Sequence, residues 1–234
     1  MNVLALDTCF GACSVAVRWR SQRHEWLLRE AYEERLTGHA EALMPMIQGV
    51  MEGAGLRFAD LDRIAVTIGP GTFTGVRVGV AAARGFGVAT GLPLVGVSSL
   101  AVMAFRADSL MMKRERAPHT AVCVDARKGQ IYMQLFGRDA GVVLSEPMLA
   151  TPREAALLAG PEPLLAVGSG AAALAGARRE QHASTEVALP KLEPHARHLA
   201  LLSPALKPLD PVRPLYLRAP DARPPADAAI PRVH

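Results

Sequence analysis

Aromatic residues are scarce in this chain, at 5% of 234 positions, which rules out a core built on large rings. The buried mass has to come from Val, Leu, Ala and close backbone approach, and a hydrophobic fraction of 50% supplies enough for a substantial core. A basic block is also missing: the formal charge of +4 and the pI near 9.2 arise from scattered arginines, which permit contact with nucleic acid without marking a surface for it. No apolar run reaches the length of a membrane span, and the opening MNVLALD is not a basic leader followed by a long apolar stretch, so a cytoplasmic home is expected. Cysteine is limited to Cys9, Cys13 and Cys123, without the paired spacing of a zinc site, and these read as small apolar core positions in a reducing compartment. Metal-ligand spacing is absent elsewhere too. His39 has Leu43 where a second histidine at i+4 would stand, and His195 and His198 lack Cys or carboxylate company.

What is present is a pattern that occurs twice. An apolar strand over 3–6 stops at Asp7, turns at Gly11 and is followed by a second apolar run over 14–19; about half the chain later a strand over 121–124 stops at Asp125, turns at Gly129 and continues over 131–136. Helix-like stretches follow, over 40–51 and 152–159, and each leads to a strand that ends in a Gly-x-Gly turn, Gly69-Pro70-Gly71 and Gly168-Ser169-Gly170. Repetition in the same order predicts a duplicated α/β unit, with a first lobe over 1–100 and a second over 101–218. From 219 onward Pro, Ala, Asp and Arg leave almost nothing to bury, so 219–234 is expected to be a disordered tail.

The run GPGTFTGVRVG over 69–79 fits neither common phosphate loop, since it lacks the third glycine of the dinucleotide fingerprint and no Gly-Lys-Ser/Thr follows. It reads instead as a strand end and a turn, with Thr72 or Thr74 capping a helix towards residue 89. On that helix Gly75, Gly79, Ala83 and Gly87 recur every fourth position and leave one flank without bulk, although each glycine costs about 0.8 to 1 kcal/mol relative to Ala. Close helix packing would offset that cost, against a neighbour in the same chain or in another; spacing alone does not distinguish them. Arg77 and Arg84 share a different face, where they either meet a partner's carboxylates or remain solvated. Asp7 and Asp125, at equivalent strand ends, can be read as paired carboxylates holding a hydrated cation under a phosphate, or as turn stabilisers. Gly168-Ser169-Gly170 is preceded by Val167 and is not a nucleophile elbow.

The residues LALDT over 4–8, SVAV over 14–17, HAEALMP over 39–45, GPGTFTGVR over 69–77, VDAR over 124–127 with Gly129 and Tyr132, and PLYLR over 214–218 together resemble the TsaB (YeaZ) family. The resemblance extends over nearly the whole chain, and its most specific part is 69–77. It implies the actin, sugar kinase and Hsp70-like (ASKHA) fold of two duplicated lobes. It implies a non-catalytic, activating subunit in the synthesis of threonylcarbamoyladenosine in tRNA, docked on a catalytic TsaD-type paralogue, joined by a TsaE-type ATPase, touching tRNA through the complex and pairing with itself when alone. In the TsaD-type paralogue a His-x-x-x-His pair holds the metal; the equivalent positions here are Ser99 and Met103, so no metal and no catalytic residue is expected. The implied docking surface is formed by the first two helices, with His39, Leu43, Ile47, Thr74, Gly75, Arg77, Gly79, Ala83 and Gly87 as its residues. For nucleotide, Asp7, Gly69, Gly71 and Asp125 are weak candidates, which allows ATP or ADP bound loosely or shared at an interface, while Ser169 stands where nucleotide-binding relatives of the fold often carry Asp. The rival readings are an independent ATP-binding phosphotransferase or ATPase of the same fold, and a metalloprotease, for which no His-Glu-x-x-His exists here.

Overall fold

A computed structural model describes residues 1–111 and 117–218; the expected tail over 219–234 lies outside the described residues. The opening strand β1 (Val3–Asp7) is buried along its whole length because its alternate side chains serve two layers. Leu4 and Leu6 join one core with Leu43, Ile47, Val76 and Val80, whereas Val3 and Ala5 join another with Val102, Ala196 and Leu199. β1 pairs antiparallel with β2 (Ala12–Arg20) and parallel with β4 (Arg63–Gly69); β2 pairs with β3 (Trp26–Glu34), and β4 with β5 (Leu94–Ser98). The result is a five-stranded sheet in the order β3-β2-β1-β4-β5, with α1 (His39–Ala54) and α2 (Phe73–Thr90) on one face.

The second sheet repeats the first. β6 (His119–Asp125), β7 (Ile131–Gly137), β8 (Met148–Ala150), β9 (Leu164–Val167) and β10 (Thr185–Ala188) are arranged β10-β9-β6-β7-β8, with the same sequence of antiparallel and parallel pairings. Ala121, Cys123, Ile131 and Met133 pack with α4 (Pro152–Ala159) and α5 (Ala171–Arg179), while Val122, Val124 and Phe136 face α3 (Ser99–Met111) and share a core with the first lobe. All three cysteines are buried.

Two expectations need correction. The chain contains a third strand in each half, β3 and β8, which the hairpin pattern did not reveal. The division at residue 100 also fails to describe the C-terminal part. The short helix α6 (Ala196–Leu202) packs on β1, β2 and β4, and the segment that follows returns to the first sheet, where the Leu209 amide donates to Leu94 O at 2.8 Å and that of Leu215 to Ile68 O at 2.7 Å. Residues 206–218 are a strap, and its last residue reaches back to the second lobe, where Arg218 Nη2 donates to Gln130 Oε1 at 2.6 Å and Nη1 to Ala126 O at 2.6 Å. Among the described residues no helix is long and apolar enough to cross a membrane.

Candidate functional site: the inter-lobe cleft and the face of the first two helices

Two places collect the residues that the sequence singles out. The first is a cleft of about 420 Å³ between the lobes, whose walls include Phe10, Gly71, Asp125, Arg127, Tyr132 and Tyr216. Asp125 enters it from the end of β6 and is exposed; its Oδ1 accepts from the Arg127 amide at 2.8 Å, and its own amide donates to Ser169 Oγ at 3.0 Å. Asp7, its counterpart at the end of β1, is fully buried and does not line the cleft. The Thr67 hydroxyl donates to Asp7 Oδ1 at 2.5 Å and the Cys9 amide at 3.4 Å, while Oδ2 has no partner. Burial raises this carboxyl to about 6, against the lowering effect of Thr67 and Cys9. The two aspartates are therefore not a carboxylate pair across the cleft.

The glycine turn is sealed in the same way. Gly69 has φ of 107°, and a Cβ there would lie 2.8 Å from Leu215 O; at Gly71 it would lie 2.5 Å from Cys9 O. Thr72 caps α2, accepting from the Gly75 amide at 3.1 Å, and its own amide donates to Cys9 O at 2.7 Å. The chain's own strap thus fills space beside the turn, and the first-lobe carboxylate is shut off. These residues do not fit a phosphate and cation held between two aspartates.

The second place is the face of α1 and α2, and here the small-residue flank resolves differently from its expected role. A Cβ at Gly75 would fall 2.1 Å from Thr8 O, one at Gly79 would fall 2.6 Å from Thr8 Oγ1, and one at Gly87 would meet the Leu94 side chain at 3.1 Å. Ala83 is fully buried. The stripe is spent inside the chain, where it lets α2 settle on the β1–β2 turn, with Thr8 Oγ1 donating to Gly75 O at 2.6 Å. His39, Leu43 and Ile47 are likewise buried under α1, with His39 Nε2 3.1 Å from Phe10 O. His39, Leu43, Ile47, Gly75, Gly79 and Ala83 are all buried within this chain. Of the nine expected docking residues, Thr74 and Arg77 are exposed and Gly87 is partly so.

The exposed sides of these helices carry other residues. α1 presents Glu41, Met44, Gln48 and Glu52, while α2 presents Phe73, Arg77, Ala81, Arg84, Gly85 and Val88, the last 90% exposed. Acid lies on one helix and base on its neighbour. Among the described residues Arg77 is neither simply solvated nor paired with a carboxylate: its Nε donates to Tyr216 OH at 2.8 Å and its guanidinium lies over the Phe73 ring. Sequence reasoning quoted Tyr216 within PLYLR but gave it no role.

Other polar positions are structural. Ser99 Oγ donates to Pro70 O at 2.6 Å and Met103 is fully buried among core side chains, so neither faces the cleft. His195 caps α6 and stacks on Tyr32 with centroids 4.8 Å apart, and His198 Nε2 lies 3.0 Å from Ser109 Oγ; burial lowers both imidazoles to about 4. Glu193 links the first lobe's turn to the segment before α6, accepting from the Gly11 amide at 3.3 Å, and burial raises its carboxyl to about 7. Among the described residues no group of three or more His, Cys, Asp or Glu is placed to hold a metal ion.

Two copies of one five-stranded unit, joined by a shared core with a cleft between them, define the ASKHA class of α/β protein. The sequence profile of the family described as "TsaD: tRNA N6-adenosine threonylcarbamoyltransferase" matches residues 33–166. Among relatives, the threonylcarbamoyladenosine biosynthesis protein TsaB of Escherichia coli is 34% identical over 59% of this chain and 56% of its own length. The chain thus spans little more than half of that relative, whereas an uncharacterized protein of Mycobacterium tuberculosis is 35% identical over 95% of this chain and 94% of its own length. YeaZ from Pseudomonas aeruginosa has a solved structure that superposes with a TM-score of 0.75 at 27% identity, covering 92% of this chain and 99% of that one. The chain belongs to the TsaB (YeaZ) family.

Proposed function

We propose that this chain is a non-catalytic accessory subunit in the synthesis of threonylcarbamoyladenosine in tRNA, and that it docks on a catalytic TsaD-type paralogue through the exposed sides of α1 and α2. The observation that carries this reading is the segregated surface of those helices: Glu41 and Glu52 on α1, Arg77 and Arg84 on α2, with Met44 and Val88 exposed between charges. Such a surface is complementary to a second copy of the same arrangement, which is what a paralogue or a homodimer offers. Ser99 and Met103 support a partner-borne active site, since both are committed to internal packing.

On this reading the chain alone neither turns over ATP nor holds it tightly, and any ATP or ADP is bound loosely or shared with the partner. A TsaE-type ATPase and tRNA join through the assembly, within the cytoplasm. The test is a reconstituted modification reaction with purified paralogue, ATPase and tRNA. Modification should appear only when this chain is added, and calorimetry of the chain alone with ATP and magnesium should show no strong binding. Full modification without the chain, or ATP turnover by the chain alone, would replace this reading with the independent-ATPase one. Gly79→Arg is unsuitable as a docking variant because it would disrupt the contact with Thr8; Arg84→Glu and Val88→Arg alter the exposed side instead.

A further inference from the structure

Arg77 is held from two directions before any partner arrives. Its guanidinium carbon is 3.5 Å from the Phe73 ring centroid and 5.7 Å from that of Tyr216, its Nε donates to the Tyr216 hydroxyl at 2.8 Å, and the two rings are in tilted contact at 5.5 Å. Phe73 and Tyr216 are 39% and 44% exposed, so the layered cluster lies at the surface. Nε is occupied by the tyrosine, but among the described residues no carboxylate engages the two terminal nitrogens, and α2 contains no acidic residue. A free arginine loses rotamer entropy when it is fixed on binding. Here the fold has already fixed it.

Tyr216 comes from the strap, not from the helix. Its neighbours tie that strap to both lobes, Leu215 to the end of β4 and Arg218 to the β6–β7 turn. We propose that Phe73, Arg77 and Tyr216 form a preorganised receptor for a carboxylate side chain of the partner subunit, with Tyr216 as the residue that positions the guanidinium. This rests on the docking reading above and deepens it. A guanidinium fork takes a carboxylate in two parallel hydrogen bonds, and an aromatic and arginine cluster at an apolar surface is the composition of an interface hot spot. A phosphate would satisfy the same fork. The rest of the exposed α2 surface favours protein, because beside Arg77 it carries one further cation, Arg84, with the uncharged Ala81, Gly85 and Val88 around it, which is too little charge on this helix to follow a nucleic-acid backbone.

The test is a calorimetric titration of the full chain into the purified TsaD-type subunit, using Arg77→Lys, Tyr216→Phe and the double variant. Arg77→Lys keeps the charge and loses the fork, and should weaken binding about tenfold or more. Tyr216→Phe keeps the ring contact and loses the hydroxyl, and should weaken binding about threefold to tenfold with the melting temperature little changed. In the Arg77→Lys background the same tyrosine change should add less than about twofold, because the tyrosine acts through the guanidinium. Unchanged affinity in Tyr216→Phe, an undiminished effect in the double variant, or variants that lose only tRNA capture would each overturn the proposal while the docking reading survives. A wild-type chain that does not bind the paralogue would overturn both.

Discussion

The two lobes share a strand order and a pair of aspartates, yet one aspartate is sealed and the other is open. In the first lobe α2 sinks onto the β1–β2 turn because Gly75 and Gly79 leave room for Thr8, and the strap closes the other side of the glycine turn at Leu215. In the second lobe Gly168 also has positive φ, at 93°, but the helix that follows begins at Ala171, and the turn beside Asp125 runs out through exposed Arg127 and Lys128. Duplication preserved the frame, and the packing of each strand-to-helix turn decided whether its carboxylate meets water. A site that needs both aspartates is lost once either is covered.

The largest effect should come from filling the first lobe's turn. Gly75→Ala places a methyl 2.1 Å from a backbone oxygen, which cannot yield as a side-chain tip can, and should destabilise by about 3 kcal/mol or more. Gly170→Ala, whose methyl would sit 3.0 Å from Ile131 Cγ2 and 3.1 Å from the Val124 carbonyl carbon, is less crowded and should cost about 1 to 2 kcal/mol. Chemical denaturation of the two variants checks the difference, and equal losses would mean that the lobes are sealed alike.

The aspartates should differ in pH dependence. Asp7 moves from 3.8 to about 6 on folding, so the folded state binds its proton more tightly. Its contribution to stability is full below about pH 4 and is lost as pH rises through about 6, a loss of about 2 to 3 kcal/mol by pH 8. Asp7→Asn should remove that loss, whereas Asp125→Asn, on the exposed side, should change stability by less than about 0.5 kcal/mol. Comparing each variant with wild type at matched pH isolates the aspartate from His195 and His198. Those imidazoles are lowered on folding, so their contribution has the opposite sign: present above about 6.5 and lost as pH falls through about 4. A smaller effect is expected at the strap, where Arg218→Ala removes charged hydrogen bonds to Ala126 O and Gln130 and should cost about 1 to 2 kcal/mol. A variant with unchanged melting would show that the strap does not tie the lobes.

Much of this frame was legible because it is written in short-range patterns. Apolar runs stopping at Asp7 and Asp125, turns at Gly11 and Gly129, and glycine pairs at 69–71 and 168–170 each announce a strand end, and their common order announced the duplication. β3 was not legible, since WLLREAYEE lies at the sheet edge and is largely exposed, which removes the alternation that marks a half-buried strand. The strap has no period at all. The glycine stripe was read correctly as a close approach, but a spacing of four does not name the neighbour, and the oxygen of Thr8 is far from it in sequence. The same limit applied to Arg77, whose ring partner Tyr216 lies on the strap.

Docking through the exposed sides of α1 and α2 is tested most directly by one titration. The purified TsaD-type subunit is titrated with wild type, with Arg84→Glu, and with Leu157→Glu on the 67% exposed side of α4 in the far lobe. The prediction is that Arg84→Glu weakens binding about tenfold or more without lowering the melting temperature, while Leu157→Glu binds as wild type does. Binding that ignores Arg84→Glu but is lost with Leu157→Glu would place the docking surface on the second lobe and contradict the account.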